Sequence, residues 1–325
     1  MALVFFFMDG VGLGEENEHN PFVHTAHSFF SFLTGEQLFT DRAQSFVMPN
    51  HVFTSLDACL GVPGLPQSGT GQVALFSGIN APQMLGRHFG PYPHSTQREA
   101  FINSSLFIQM QTAGGRTFFM NAYPDVFFEY ASRKNRWSST TLMSRSSGKR
   151  LHTLKQIRNG TATTADITQR AWIERLQIDV PEIDTGEAGR RVINAADKHD
   201  LVLMEYYLTD SAGHKKDRSK AHEILTLVDR FLMELMRLCR QSGHTLLVTS
   251  DHGNIEDLST RSHTTNRVPL IVYGPGAHLF RGAGALTDVT PLIVKWYRSV
   301  NRKGLNNSVK NVVNGARTVD RPKHP

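Results

Sequence analysis

Residues 2–8, ALVFFFM, form an unbroken apolar run that ends at Asp9-Gly10. A strand buried on both faces of a parallel sheet has this character, because helices cover each face and no position meets water. The run lacks the basic start and small-residue cleavage site of a signal peptide. It therefore predicts a central strand of an α/β sheet, with Asp9 at the carboxyl end of that strand.

Other short apolar runs alternate with helical patterns along the chain. Alternating strands and helices predict a doubly wound, mostly parallel sheet with helices on both faces. No run approaches the roughly 20 residues that a membrane-spanning helix needs. The further strands are predicted at 52–57, 117–121, 201–207, 244–249 and 268–273, and the helices after Ser68 and near 164–176, 186–197, 219–240 and 288–299.

The pattern divides the chain into three parts. We expect residues 1–87 and 196–300 to form the α/β core and residues 88–195 to form an inserted cap subdomain. The segment 133–150 within the cap is rich in Ser, Thr and basic residues, with little periodicity, and predicts a loop. Residues 301–325 are expected to form a basic, flexible tail.

Charge and cysteine content bound the possible partners. Of the net charge of +6, the tail carries +5 through six basic residues and one acidic residue, so the rest is nearly neutral. With no nucleic-acid-binding motif, this distribution argues against a nucleic-acid partner. Cys59 and Cys239 each stand alone in apolar segments, which is typical of reduced core thiols in a cytoplasmic protein. We therefore expect a cytoplasmic protein without a membrane partner.

Polar side chains cluster next to the predicted strands. Ligands bind at the carboxyl ends of parallel strands, so residues that follow those strands should meet at one edge of the sheet. Four of the five segments that carry them lie next to a predicted strand. The candidates are Asp9 in MDGVG, Ser68 in GLPQSGTGQ, Asp210 and His214 in TDSAGH, Asp251 and His252 in TSDHGN, and His263 in RSHTTN.

The residue types and spacing of these candidates favour metal binding over a polar surface. Asp210 and His214 are four residues apart, so one helical turn places both beside one cation. Asp251 and His252 can bind one metal if their strand ends in a turn. A carboxylate such as Asp9 at the end of a buried strand is costly unless a cation lies beside it. His263 would complete the ligands of a second metal, so the set predicts a site for two divalent cations.

Ser68 is the predicted nucleophile, at or just before a helix N-terminus. Metal coordination and the positive end of the helix would both favour its alkoxide form. Gly69 and Gly71 would let the backbone approach phosphate oxygens closely. Two alternatives stay open: Ser68 is also a good N-cap residue, and Thr70 could serve as the nucleophile instead.

The order Asp, Ser, Asp-x3-His, Asp-His, His resembles the alkaline phosphatase superfamily. Within it, the chain is most similar to the cofactor-independent phosphoglycerate mutase and phosphopentomutase branch. The motifs MDGVG, GLPQSGTGQ, TDSAGH, TSDHGNIED and the SHT before VPLIVYG carry the resemblance. It covers roughly 1–87 and 196–300, and it implies an alkaline-phosphatase-like core that binds two divalent cations, manganese or zinc.

The resemblance also implies roles for the candidate residues. Ser68 would attack a phosphomonoester and become phosphoseryl; a mutase then returns the phosphoryl group to the substrate, and a phosphatase gives it to water. Gly69 and Gln72 depart from the acidic residue and the histidine that mutases usually carry at these positions. One cation would be held by Asp210, His214 and His263, and the other by Asp9, Asp251, His252 and the Ser68 oxygen.

A small phosphorylated metabolite is the expected substrate. Arg87 and His88 in GRHFGPYPH, Asn121 at the end of a strand, and Lys134 in a basic cluster are candidates to bind it. The leading interpretation is a phosphotransferase or mutase with a phosphoserine intermediate. The alternatives are a phosphomonoesterase or phosphodiesterase on the same scaffold, and a non-catalytic binding module.

Overall fold

The computed structural model describes residues 1–24 and 28–300; the predicted tail, 301–325, lies outside the described residues. The strands are β1 Leu3–Met8, β2 Phe46–Met48, β3 His51–Leu56, β4 Thr117–Phe119, β5 Leu201–Tyr206, β6 Thr245–Ser250 and β7 Val268–Tyr273. The helices are α1 Ser28–Leu33, α2 Ser68–Ser77, α3 Ala81–Leu85, α4 Ser95–Ser104, α5 Leu106–Thr112, α6 Asp125–Lys134, α7 Ser139–Ser146, α8 Leu154–Arg158, α9 Arg170–Leu176, α10 Thr185–Ala196, α11 Leu208–Lys215 and α12 Arg218–Ser242. A last helix, α13, begins at residue 289 and reaches residue 300.

The strands form one seven-stranded sheet in the order β2-β3-β7-β6-β1-β5-β4. Strands β4, β5, β1 and β6 run parallel to one another, and β7 runs antiparallel to β6. Because β3 is antiparallel to β7, it points the same way as β1, and the edge strand β2 points back again. The sheet is therefore mostly parallel, which confirms the predicted α/β class.

β1 is central, as the apolar run predicts, and all six of its residues are buried. Its side chains alternate between two hydrophobic cores, so Leu3, Phe5 and Phe7 face one core, and Val4 and Phe6 face the other. The first core contains side chains of α2, α5 and α7, and the second contains side chains of α1, α10 and α12. Helices therefore cover both faces, as in a doubly wound sheet.

Two predicted segments differ from the structure. The helix predicted near 164–176 begins only at Arg170, because Ile167 and Gln169 adopt left-handed backbone angles and the Asp166 carboxylate accepts from the Ala171 N–H. The segment 133–150 is not a loop, since it contains α7. Six consecutive residues of α7, Ser139 to Ser144, are buried, so the helix shows no apolar stripe that a periodicity argument could detect.

The division at residues 88–195 stays a prediction. Within that segment β4 extends the main sheet beside β5, and α7 packs against α2. A separate small core lies farther along, around Ile157 and Trp172. Cys239 is buried and Cys59 is half-buried, and neither is in a disulfide. Among the described residues, no helix is long and apolar enough to cross a membrane.

Candidate metal centre

The parallel strands bring the predicted residues to one edge of the sheet. Asp9 directly follows β1, Asp251 directly follows β6, and Asp210 lies in the first turn of α11, just after β5. The turn after β1 requires a glycine, because Gly10 has a φ of 69° and a Cβ there would lie 2.7 Å from Asp210 Oδ1. The chain reversal at Gly10 therefore sets Asp9 and Asp210 close together.

Six of the seven predicted ligands form two groups, each with donor atoms within 4.8 Å of one another. Asp9, Asp251 and His252 form the first group, and Asp210, His214 and His263 form the second. The groups touch, since the rings of His252 and His263 stack with centroids 3.8 Å apart. This is the pairing that the resemblance implies.

The first group is buried, and two of its carboxylate oxygens have no hydrogen-bond partner in the described chain. His252 Nε2 lies 3.1 Å from Asp9 Oδ1 and 3.7 Å from Asp251 Oδ2. Both of these carboxylate oxygens are buried, yet neither has a hydrogen-bond partner among the described residues. A buried anionic oxygen without a partner is costly, so these two atoms are suited to bind a cation.

Backbone carbonyls orient the imidazoles of the second group. His263 Nδ1 lies 2.7 Å from the Pro66 carbonyl, and His214 Nδ1 lies 2.7 Å from the Arg261 carbonyl. A carbonyl can only accept, so Nδ1 carries a proton in both rings, and in the neutral form of each ring Nε2 has a lone pair for a ligand. These two Nε2 atoms are 3.2 Å apart, and each lies near an Asp210 oxygen, at 3.3 Å from His214 and 3.5 Å from His263.

The buried carboxylates of the centre favour a positive charge beside them, and this shifts the pKa values of the neighbouring groups. Burial raises the pKa of Asp9, and burial together with the charge of Asp9 raises the pKa of Asp251. Burial lowers the pKa of His252, but Asp251 and Asp9 outweigh it and raise that pKa to about 10. Burial and the charge of His252 lower the pKa of His263 to about 4. A divalent cation would take the place of the proton on His252, because carboxylates and deprotonated imidazoles are its usual donors.

Ser68 lies at the start of α2 and points at the first group. Its Oγ lies 2.9 Å from His252 Nε2. Thr70 is turned elsewhere, since its Oγ1 contacts the Gln67 carbonyl at 3.4 Å and accepts from the Phe89 N–H at 3.2 Å. The Thr70 N–H in turn donates to the Phe89 carbonyl at 2.8 Å. The surroundings of the two hydroxyl groups therefore favour Ser68 as the nucleophile.

The four predicted substrate-binding residues contact other parts of the chain. Arg87 is exposed beside the Phe89 ring, and Lys134 is exposed at the end of α6. His88 Nε2 lies 3.1 Å from the Val62 carbonyl. The Asn121 amide exchanges two hydrogen bonds of 2.8 Å with the backbone of Glu205 in β5. Within the described chain, no hydrogen bond or ion pair joins these four side chains to the seven predicted site residues.

Three polar residues around the centre were not predicted from the sequence as site residues. Glu256 is buried and accepts from the Gly12 and Asn254 N–H groups at 2.8 and 2.7 Å, so it ties together the loops that follow β1 and β6. Gln72 donates to Asp9 Oδ2 at 3.3 Å. Glu205 is a buried carboxyl in β5 that accepts from Thr140 at 2.7 Å, and burial raises its pKa to about 7. An acid inside the apolar run LVLMEYY is the signal that could have identified Glu205.

Comparisons with known proteins agree with this geometry. Residues 162–299 match the family profile of the Metalloenzyme superfamily. The 2,3-bisphosphoglycerate-independent phosphoglycerate mutase of Natronomonas pharaonis is 34% identical over 108 residues, which are 30% of this chain and 21% of that protein. The mutase of the same name from Cereibacter sphaeroides is 32% identical over 123 residues, 35% of this chain and 24% of that protein. The chain thus spans about a quarter or less of the length of these relatives.

Solved structures share the fold across most of the chain. The PH0037 protein from Pyrococcus horikoshii has a TM-score of 0.56 at 12% identity and covers 91% of this chain and 96% of its own. Alkaline phosphatase from the Antarctic bacterium TAB5 has a TM-score of 0.50 at 14% identity, covering 91% and 98%. Leishmania mexicana phosphoglycerate mutase has a TM-score of 0.50 at 11% identity, covering 91% and 95%. These structures confirm the alkaline-phosphatase-like fold. The family profile and the mutase relatives agree with the resemblance to that superfamily.

Proposed function

We propose that this chain is a metal-dependent phosphoryl-transfer enzyme that acts on a small phosphorylated metabolite through a phosphoserine at Ser68. The observation that carries the proposal is the convergence of Ser68 with two three-residue groups of metal donors at the carboxyl edge of the sheet. A hydroxyl nucleophile beside a pair of divalent cations is the arrangement that phosphoryl transfer uses.

The donor set fits two cations, manganese or zinc. The unpartnered oxygens of Asp9 and Asp251 would bind one together with His252 and Ser68 Oγ, and Asp210, His214 and His263 would bind the other. Mixed carboxylate and imidazole donors suit both metals. When bound, the cations lower the pKa of the serine hydroxyl and neutralise charge on the phosphoryl oxygens.

The remaining chemistry belongs to the chain. The N-terminus of α2 carries a partial positive charge that favours the Ser68 alkoxide. The bond from Ser68 Oγ to phosphorus forms as the ester bond breaks, and the leaving alcohol takes a proton. A mutase then returns the phosphoryl group to another hydroxyl of the same substrate.

Hydrolysis of a phosphomonoester or phosphodiester is the second candidate. The observation that favours it is the nucleophile turn, where Gly69 and Gln72 replace the acid and the histidine of the mutases that the sequence resembles. Gln72 donates to Asp9, so this position supports a predicted metal ligand. In a hydrolase, water takes the phosphoryl group from Ser68.

One assay separates these two activities. Protein loaded with manganese or zinc is incubated with a panel of phosphorylated glycerates, sugars and nucleotides, and both isomerisation and phosphate release are measured. Isomerisation without phosphate release supports the mutase, and phosphate release supports the hydrolase. A metal-loaded protein that does neither with every member of the panel, and takes up no phosphate on Ser68, would contradict the proposal.

A further inference from the structure

A second cleft lies on the other side of α11 from the metal centre. It has a volume of about 770 Å³, and its walls come from α9, α11 and α12. Successive residues of an α-helix are rotated by about 100°, so one helix can serve two sites. Asp210 and His214 belong to the metal centre, whereas Ser211, Ala212 and Lys215 line the cleft. The size suits a small organic ligand.

The cleft has two buried hydroxyl groups without partners. Tyr206 lines it and is fully buried, and its Oη has no hydrogen-bond partner within the described chain. The same is true of Thr226 Oγ1. Burial raises the pKa of Tyr206, as do the charges of Asp166 and Glu223, which also line the cleft. A buried hydroxyl group without a hydrogen bond is costly, and a ligand hydroxyl would supply the missing bond.

The acidic residues of the cleft already have hydrogen-bond or ion-pair partners within the chain. Glu223 pairs with Lys220 at 2.8 Å. The Asp166 carboxylate accepts from the Thr164 hydroxyl and from the Ala171 N–H. Glu174 pairs with Arg170 at 3.8 Å, and Asp217 caps α12.

Three exposed basic side chains of the cleft have no acidic partner within the described chain. Arg175, Lys215 and Arg230 have no carboxylate within ion-pair distance in the ranges that the structure describes. Five basic and four acidic side chains line the cleft, so its lining carries a net charge of +1. Positive groups at a rim with hydroxyl groups below them match an anionic ligand that also carries hydroxyls.

We propose that this cleft binds a small phosphorylated polyol or hydroxy acid, with the phosphate held by Arg175, Lys215 and Arg230 and a ligand hydroxyl bonded to Tyr206 Oη. Because α11 lines the cleft and also carries Asp210 and His214, the ligand would regulate metal binding by acting on the position of α11. The binding step does not depend on the proposed phosphoryl transfer, so the two can fail separately.

Calorimetric titration of the full chain, kept metal-free with EDTA, tests the binding step. Glycerol 3-phosphate should bind more tightly than inorganic phosphate, because only glycerol 3-phosphate reaches the hydroxyl groups. Arg230→Ala should weaken its binding about tenfold, and Tyr206→Phe, which removes only Oη, should weaken it about fivefold. Arg240→Ala is the matched control, since Arg240 is an exposed arginine of α12 outside the cleft.

Equal binding of glycerol 3-phosphate and phosphate, or unchanged binding in Arg230→Ala, would overturn the assignment, as would no binding at millimolar concentration. A second titration, with Mn²⁺, tests the regulation. By linkage, a saturating ligand must change the manganese affinity by the same factor by which manganese changes the ligand affinity. Unchanged manganese affinity would overturn the regulatory role, whatever the binding result.

Discussion

Two hydroxyl groups in the first turn of α2 have different surroundings, and this difference predicts which one is phosphorylated. Ser68 Oγ points at His252, whereas Thr70 Oγ1 is bonded to the backbone of Gln67 and Phe89. We expect Ser68→Ala to abolish the phosphoenzyme while leaving the fold intact. Trapping with ³²P-labelled substrate and mapping the labelled peptide checks this.

The matched control for Ser68→Ala is Thr70→Val, which keeps the shape of Thr70 without its hydroxyl. It should retain the label, although the loop that contacts Thr70 loses one hydrogen bond. Label that survives in Ser68→Ala and disappears in Thr70→Val would assign the nucleophile to Thr70.

Glu256 holds the loops of the metal centre together without belonging to either donor group. Its carboxylate accepts from the Gly12 and Asn254 N–H groups, the Thr264 hydroxyl and the Asn266 amide. In Glu256→Gln, an amide NH₂ faces donors, so several of these bonds are lost. We expect the metal affinity to fall about 10–100-fold, measured by competition with a chelating dye. Asp257→Asn, at a neighbouring acid, is the control and should leave the affinity unchanged.

The buried carboxyl of Glu205 makes stability depend on pH. Its pKa is raised from 4.5 to about 7, so the folded chain binds this proton more tightly than the unfolded chain. The resulting stability is fully present below pH 4.5 and is lost as pH rises through 7, by roughly 3 kcal/mol. Glu205→Gln cannot ionise and should lose less stability between pH 5 and pH 8. Urea unfolding in EDTA at both pH values checks this, and equal losses in the two proteins would contradict it.

The sequence identifies residues whose surroundings are local and misses those whose surroundings come from distant segments. Asp9 and Asp251 were predictable because each follows an apolar strand directly. Glu205 lies inside a strand and meets Thr140 only in the folded chain. The predicted substrate contact of Asn121 stays a prediction. Its amide contacts the backbone of Glu205 from the neighbouring strand, a register that spacing cannot provide.

At the scale of elements, the loop that contains Phe89 and Tyr92 packs on the first turn of α2. A Cβ on Gly69 would lie 2.3 Å from the Tyr92 carbonyl oxygen and 2.6 Å from that of Phe89, so only glycine fits between the loop and the helix. Gly69→Ala should displace the loop or the turn that carries Ser68. We expect a loss of about 1–3 kcal/mol in unfolding free energy and a larger loss of phosphoenzyme.

Gly284→Ala is the control for Gly69→Ala, because a Cβ there meets no atom within 4 Å. Denaturant unfolding and single-turnover labelling of both variants measure the two effects. Wild-type stability and labelling in Gly69→Ala would show that the loop does not restrain this turn.

Strands of the parallel half of the sheet were easier to predict than its surrounding helices. β1, β5 and β6 are buried on both faces, so β1 is continuously apolar and the other two strands are mostly so. The edge strand β2 has two exposed residues out of three and gives no such signal. α7 is buried but built of Ser and Thr, so its position depends on contacts with α2, α4 and α5 rather than on its own pattern.

For the whole molecule, bound metal should contribute strongly to stability, since several buried carboxylates meet at one edge. Free metal at 100 times its dissociation constant adds about 2.7 kcal/mol per site. We therefore expect Mn²⁺ or Zn²⁺ to raise the melting temperature of EDTA-treated protein. The double variant Asp9→Asn with Asp210→Asn removes one ligand from each group and should show no rise. An equal rise in this variant would place the metal elsewhere.

The central position of β1 also has a consequence for biosynthesis. Leu3 pairs with Leu201 on one side and with Thr245 on the other, so neither neighbour exists when this segment leaves the ribosome. The three consecutive phenylalanines of β1 stay unpaired until most of the chain has been translated. During that time this apolar segment can aggregate. We expect chaperones that shield apolar segments to bind the emerging β1 segment until β6 is complete.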